Sequence, residues 1–233
     1  EVNYNLGDLV PNFDLTVGGA YRNYVLRSNG SLFSDYDSPI KFNEIAFYTQ
    51  AQKQLFDGAV KLTGSIRYDK SEFLDGNFTP RLGALVYLSP RHNIRASYQT
   101  GFRNPSTQGL FIGLDLGVAK LVGGAPDNPS RFSADYDVSV DGQAMGMPAS
   151  VTLTGDSAYT NSYSVSSVTA FAAAAATGNI DPTILERSGA DYVVPEEMIQ
   201  FELGYRGKFL FDDHSVSSLI IDANVYRNDF KNF

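Results

Sequence analysis

Arg67, Arg95, Arg103 and Arg206 share an alternating, extended setting with Glu44, Asp69 and Glu202. The guanidinium fork matches a carboxylate, so groups placed this way are suited to ion pairs with one another or with a partner of opposite charge. Arg103 and Asn104 stand where an extended run gives way to a long stretch of different character, which makes them the leading candidates for contact with a ligand. Tyr159, Tyr163, Phe171 and Tyr192 lie within that stretch and offer flat faces on which a ligand can stack. This chemistry is binding, and nothing points to bond breaking. Cys is absent, and the two histidines, His92 and His214, are far apart and fall in apparent turns. They form no zinc-type spacing and no evident Ser-His-Asp arrangement. Asp35-Tyr36-Asp37 and Asp135-Tyr136-Asp137 supply oxygens but lack the full ligand series of a calcium loop. Gly123-Gly124 precedes no helix pattern and does not suggest a phosphate cradle. We therefore expect no catalytic residue, no metal and no cofactor.

The elements that position these residues read as long strands, because apolar and polar residues alternate with period two over many windows. From Asn93 to Arg103, Ile94, Ala96, Tyr98, Thr100 and Phe102 oppose Asn93, Arg95, Ser97, Gln99 and Arg103. From Glu44 to Leu55, Ile45, Phe47, Thr49, Ala51 and Leu55 oppose Glu44, Tyr48 and three glutamines, with Lys53 the exception. Val60 to Lys70, Phe13 to Val25, Arg81 to Leu88, Ile199 to Phe209 and, more weakly, Leu219 to Val225 behave alike. Fourteen Tyr, 16 Phe and 21 Gly, with a charged fraction of 19%, suit strands as well. A net charge of −8 has the wrong sign for a chain that grips phosphate backbones, so nucleic acid is not an expected partner. No run of 18 apolar residues occurs, and no signal peptide is expected in the opening residues Glu1-Val2-Asn3-Tyr4, which already alternate.

Connection lengths alternate too. Gly7 to Pro11, Phe56 to Gly58, Ser89 to His92 and Phe211 to His214 are short and built from turn residues, whereas Ser28 to Ile40, Ser71 to Thr79 and Asn104 to Pro195 are longer. Short turns on one rim and long loops on the other describe an outer-membrane barrel, with its apolar face in lipid and its polar face toward a hydrated lumen. The expected fold is all-β: an antiparallel transmembrane β-barrel, here a segment of about seven or eight long strands. Residues 1–103 carry barrel strands with short periplasmic turns, 104–195 form one long extracellular loop, and 196–233 hold further strands. Two alternatives differ in what they predict. A small closed eight-stranded barrel with a structural or adhesive role would pair its first and last strands. A secreted carbohydrate-binding β-sandwich would cover the faces of Ile45, Phe47, Ile94, Phe102, Phe201 and Leu203 with another sheet.

Within the long loop, Ser164 to Ala176 predicts a helix capped by Ser164 or Ser166 and closed by Gly178. A short second helix follows, with Asp181 as cap, Pro182 at its first position and Gly189 at its end. Tyr136 to Val140 and Val151 to Thr154 can pair as a hairpin.

At Tyr98-Gln99-Thr100-Gly101-Phe102-Arg103-Asn104-Pro105-Ser106 the chain resembles the TonB-dependent outer-membrane receptors, in which a barrel strand ends in a Gly-Phe-Arg-x-Pro-Ser signature. Further pieces follow the same order: Glu44 to Gln50, Arg67-Tyr68-Asp69, Phe78-Thr79-Pro80-Arg81-Leu82-Gly83, Pro195-Glu196-Glu197, and Phe201-Glu202-Leu203-Gly204-Tyr205-Arg206. The Ala tract followed by Thr177-Gly178-Asn179 and then Val193-Val194-Pro195-Glu196-Glu197 is most similar to receptors from Bacteroidetes. The resemblance implies a 22-stranded barrel around a plug domain. It further implies a place in the bacterial outer membrane, surrounded by its lipid, and uptake of a scarce ligand (iron chelate, cobalamin or oligosaccharide) on energy delivered by TonB. A surface lipoprotein is a possible further partner. The charges at Glu44, Arg67, Asp69, Arg95, Glu202 and Arg206 would then line the lumen and pair with one another or with the plug. The chain contains no plug and no TonB-contacting segment, so it is expected to be a segment of a receptor, with Phe233 an arbitrary stop.

Overall fold

The computed structural model describes residues 1–7, 13–116, 120–211 and 217–232. His214, Phe233 and parts of the turns Gly7–Pro11 and Phe211–His214 lie outside them. In chain order the strands are β1 (Val2–Asn5), β2 (Phe13–Leu26), β3 (Ile40–Leu55), β4 (Val60–Ser71), β5 (Asn77–Ser89), β6 (His92–Arg103), β7 (Gly113–Asp115), β8 (Lys120–Val122), β9 (Ser133–Asp137), β10 (Ser150–Thr154), β11 (Glu196–Leu210) and β12 (Ser218–Lys231). Among the described residues four α-helices, α1 (Thr107–Phe111), α2 (Val140–Ala144), α3 (Gly155–Thr160) and α4 (Val165–Ala176), fall between β6 and β11. Two compact units result.

The first unit comprises Glu1–Val25, Lys41–Asn104 and Val194–Phe233. Its eight strands form one sheet in the order β1-β2-β3-β4-β5-β6-β11-β12. Every pairing whose register is described is antiparallel. Because successive side chains point to opposite faces, register alone decides which residues share a side. Tyr48 faces Arg67, Ser65 faces Arg81, Arg81 faces Gln99, and Ser97 faces Glu202. The opposite face carries the row Leu82, Tyr98, Phe201 and the row Val86, Ile94, Tyr205. This second face is not covered: Phe47 is 61% exposed, Phe78 65%, Leu82 61% and Val225 68%. A sandwich would bury these side chains. Nor are the outermost strands of the sheet order, β1 and β12, paired with each other among the described residues, as a small closed barrel requires.

The apolar face becomes polar at the ends of the strands that lead into the longer connections. Asn43 accepts hydrogen bonds from Tyr21 Oη (2.6 Å) and Asn23 Nδ2 (2.7 Å), and Arg227 Nη2 pairs with Asp229 at 3.1 Å. At the opposite ends the turns are tight. Phe56, Asp57 and Gly58 all have positive φ (54°, 53° and 87°), and Gly58 N–H donates to Leu55 O at 3.2 Å. Glycine at 58 meets that requirement without a Cβ penalty. The turn before β6 is tighter than expected. His92 already belongs to the strand, where its ring packs edge-on to Phe209 (4.9 Å) and Nδ1 lies 2.7 Å from Tyr205 Oη, so it is not the exposed turn residue that its neighbours suggest.

The second unit joins Leu26–Ile40 to Pro105–Val193. Its apolar centre is Phe33, Leu110, Phe111, Ala125 and Phe132. A bridge between Phe33 and Ile112, reinforced by Gly113 N–H to Leu32 O at 2.8 Å, ties the shorter connection to the longer one. Asn128, with no exposed surface, donates from Nδ2 to Gly123 O (3.0 Å) and Ile112 O (3.2 Å). Of the local expectations, α4 matches the structure, the second helix shortens to one turn that ends well before Gly189, and the hairpin forms with its first strand at Ser133–Asp137 rather than Tyr136–Val140, since Val140 opens α2. α4 begins after Ser164, whose Oγ accepts from Ser167 N at 3.2 Å, and Gly178 follows at φ 86°. Asp181 caps a single 3₁₀ turn at Pro182–Ile184, with Gly189 at φ 61° beyond it. β9 pairs with β10, placing Tyr136 opposite Val151.

Candidate functional site

On the charged face Arg67 grips Asp69, two residues along the same strand. Its Nε and Nη2 donate at 2.8 and 2.7 Å, and the guanidinium lies 5.8 Å from the ring of Tyr48, its direct cross-strand neighbour. Arg95 lies between two acids. Glu202, one of the acids of the expected network, is 3.8 Å away, whereas Asp222 on β12 accepts from Nη2 at 2.7 Å and Asn224 Oδ1 accepts from the same nitrogen. Gly204 is the register partner of Arg95, and the bare backbone there lets the arginine cross β11 to reach β12. Asp222 was visible as a polar position of the Leu219–Val225 window, but not as the closest carboxylate to Arg95. Arg206 faces Asp222 in the register, yet among the described residues it makes no ion pair, since Asp222 is engaged by Arg95. Side chains in this network are about one-third exposed, so each pair contributes little to stability individually.

Glu44 gathers a second group. Its carboxylate accepts from Tyr24 Oη (3.0 Å) and Asn104 Nδ2 (3.3 Å), and Arg22 Nη1 lies 3.5 Å away. Tyr24 is stacked on Phe42 with ring centres 4.5 Å apart. The structure thus joins Asn104, expected as a ligand contact, to Glu44, expected in the charge network. Arg103 instead turns to its register partner Glu196 at 2.7 Å. Sequence reasoning missed Tyr24 in this group. The signal was its place on the same parity as Arg22. Ser71, opposite Glu44 and only 4% exposed, has a hydroxyl without a partner among the described residues, as does Asn104 Oδ1.

In the second unit two of the four candidate aromatics meet. Tyr159 and Tyr192 stack with centres 5.2 Å apart and planes inclined by 10°, and Tyr159 Oη donates to Asp191 O at 2.6 Å. Partial burial, then the charges of Asp191 and Tyr192, push the Tyr159 phenol above its usual value. Tyr163 lies instead under the Arg187 guanidinium, 4.8 Å from its ring centre, and Phe171 is half-buried on α4. Asp35 is not poised to hold a cation. Its two oxygens accept from Ser28 N and Oγ, Asn29 N and Gly30 N. Among the described residues no group of three His, Asp or Glu side chains is arranged to hold a metal.

Residues 1–233 match the family model described as TonB dependent receptor-like, beta-barrel. No curated protein matches the chain. A mutant of the ferric enterobactin receptor PfeA from Pseudomonas aeruginosa shares 15% identity at a TM-score of 0.53, covering 98% of this chain and 26% of that one. A second PfeA mutant, in complex with enterobactin, gives 15%, 0.52, 99% and 26%. The siderophore receptor PirA from the same organism gives 17%, 0.49, 98% and 30%. The chain therefore spans 26% to 30% of the length of these receptors, and at 15% identity the two PfeA structures share its fold alone. With an antiparallel sheet that exposes one largely apolar face, sets most of its charges on the other, and matches the family model from end to end, the chain belongs to the TonB-dependent receptor-like β-barrel family.

Proposed function

We propose that this chain forms part of the wall and outer mouth of an outer-membrane receptor that takes up a scarce ligand (an iron chelate, cobalamin or an oligosaccharide). In this reading the energy comes from TonB through a plug domain. The observation that carries it is the uncovered apolar face, set back to back with a charged one in a chain matching the receptor family throughout. Outer-membrane lipid solvates the first face. On the second, Arg67 with Asp69 and Arg95 with Asp222 and Glu202 hold the lumen wall, while Arg206 remains available to the plug. The long connections are the extracellular rim, 104–195 chief among them. There Arg103, Asn104, Tyr159, Tyr163, Phe171 and Tyr192 meet the ligand, and a surface lipoprotein is a further partner. Uptake of this kind breaks no bond in the ligand, so no catalytic residue is assigned.

The test is expression of the complete gene followed by membrane fractionation and uptake assays with and without TonB. Recovery in the outer-membrane fraction and ligand uptake that vanishes without TonB are expected. Recovery in the soluble fraction without detergent would refute the reading.

A further inference from the structure

The charge of this chain is unevenly distributed. Leu26–Ile40 and Pro105–Val193 together carry four Lys or Arg against eleven Asp or Glu, a net of −7, whereas the sheet unit, with fourteen against fifteen, is nearly balanced at −1. Eight of those eleven acids are exposed. A fold needs no such bias, and mixed charges would keep a loop equally soluble. A concentrated field of one sign raises the local concentration of solutes of the other sign and lowers that of solutes sharing its own.

The same unit presents surfaces suited to holding a cation. An aromatic face attracts positive charge through its quadrupole, and Arg187 over Tyr163 already places a guanidinium on one such face. The stacked Tyr159–Tyr192 pair offers another, with Tyr192 40% exposed and the exposed Asp191 next to it in the chain. We infer that the second unit is a surface that collects a small solute of net positive charge, and that the Tyr159–Tyr192 pair beside Asp191 is where its cationic group rests. The inference deepens the uptake reading by naming the charge class of the ligand. An anionic chelate would be repelled by the same field.

The experiment uses the complete receptor in detergent, with Ala190→Cys labelled by a fluorophore and other accessible thiols blocked. This chain itself contains no Cys. Two nitroxide quenchers of similar size, one bearing an ammonium and one a carboxylate, report the local field. At low salt the ammonium form is expected to quench about threefold faster, with the ratio falling toward one at high ionic strength. Replacing Asp135, Asp137, Asp141 and Asp191 by Asn should cut the low-salt ratio by about half. Tyr192→Ala should weaken quenching by the ammonium form more than by the carboxylate form. A ratio of one or less at low salt, or one indifferent to the four Asn substitutions, overturns the inference. Uptake is read separately. A receptor that keeps the ratio but transports nothing in a TonB-dependent way contradicts the uptake reading and leaves the cation preference standing.

Discussion

Arg95 reaches across Gly204 to Asp222, with Nη2 2.7 Å from Oδ1. The arginine on β6 and the acid on β12 are separated by the whole of β11, and they meet because position 204 has no side chain. A Cβ there would lie 2.7 Å from Arg95 Nε.

Gly204→Val should therefore disturb the sheet more than loss of the ion pair does. The exposed pair is worth about 0.2–1 kcal/mol, whereas overpacking against a fixed neighbour costs about 1–3 kcal/mol. In the complete receptor, thermal unfolding followed by gel mobility of unheated samples should rank Gly204→Val well below Asp222→Asn in stability. Arg95→Met should restore only part of the loss in the Gly204→Val background, since it removes the guanidinium but keeps a Cγ at the same place and leaves the still closer Asn224 Oδ1. Equal stability of Gly204→Val and wild type would dismiss the crossing.

The parity of Arg95 was legible because alternation is a local property and a slip of one residue would turn every side chain over. The same holds for α4, since Ser164 and Gly178 act within one helical turn of their own positions. What could not be read were meetings between distant segments. Asn104 bonds Glu44 across 60 residues, and Phe33 bridges to Ile112, so the connection Leu26–Ile40 belongs to the same unit as the long excursion. Alternation says which face a residue takes and nothing about which distant residue it meets there. His92 was misjudged for the same reason, because Tyr205 reaches it from β11.

Asp35 organises the connection between β2 and β3. Burial opposes its charge, but hydrogen bonds from the backbone of Ser28 and Gly30, the Ser28 hydroxyl and the backbone of Asn29 prevail and hold its carboxyl well below the usual range. A carboxyl whose pKa is lower folded than unfolded stabilises above the unfolded value and loses that contribution as pH falls through the folded one. The turn should therefore stay intact at neutral and mildly acidic pH and open only in strong acid. Asp35→Asn removes the charge at every pH, with an expected local cost of about 1.5–3 kcal/mol. Hydrogen exchange at the amides of Ser28, Asn29 and Gly30 measures it. Unchanged protection in the variant at pH 7 would count against this role.

Gly207 performs for His92 what Gly204 does for Arg95. It is the register partner of His92, and a Cβ at 207 would come within 2.7 Å of His92 Nδ1. Gly207→Ala should break the link to Tyr205, and Tyr205→Phe should break it without adding bulk. A modest stability loss common to both, near 1 kcal/mol for one hydrogen bond, is expected, with an excess in the alanine variant from crowding. Comparison of their unfolding temperatures decides the matter. If Tyr205→Phe costs nothing, the hydroxyl makes no net contribution there.

The Tyr159 phenol gives the last test. Its raised pKa has partial burial as the first cause and the carboxylate of Asp191 as the second. The phenolate is the charged form, so a neighbouring negative charge and a dry surrounding both disfavour it. Asp191→Asn removes only the second cause and should lower the pKa partway toward its ordinary value. Tyr192→Ala uncovers one face of the ring and should lower it through solvation as well. Ultraviolet titration of phenolate absorbance in each variant, differenced against Tyr159→Phe to isolate the one group, gives both shifts. If Asp191→Asn leaves the titration in place while Tyr192→Ala moves it, burial and the neighbouring Tyr192 set the phenol without Asp191, and the carboxylate is too well screened to hold a cation beside the pair.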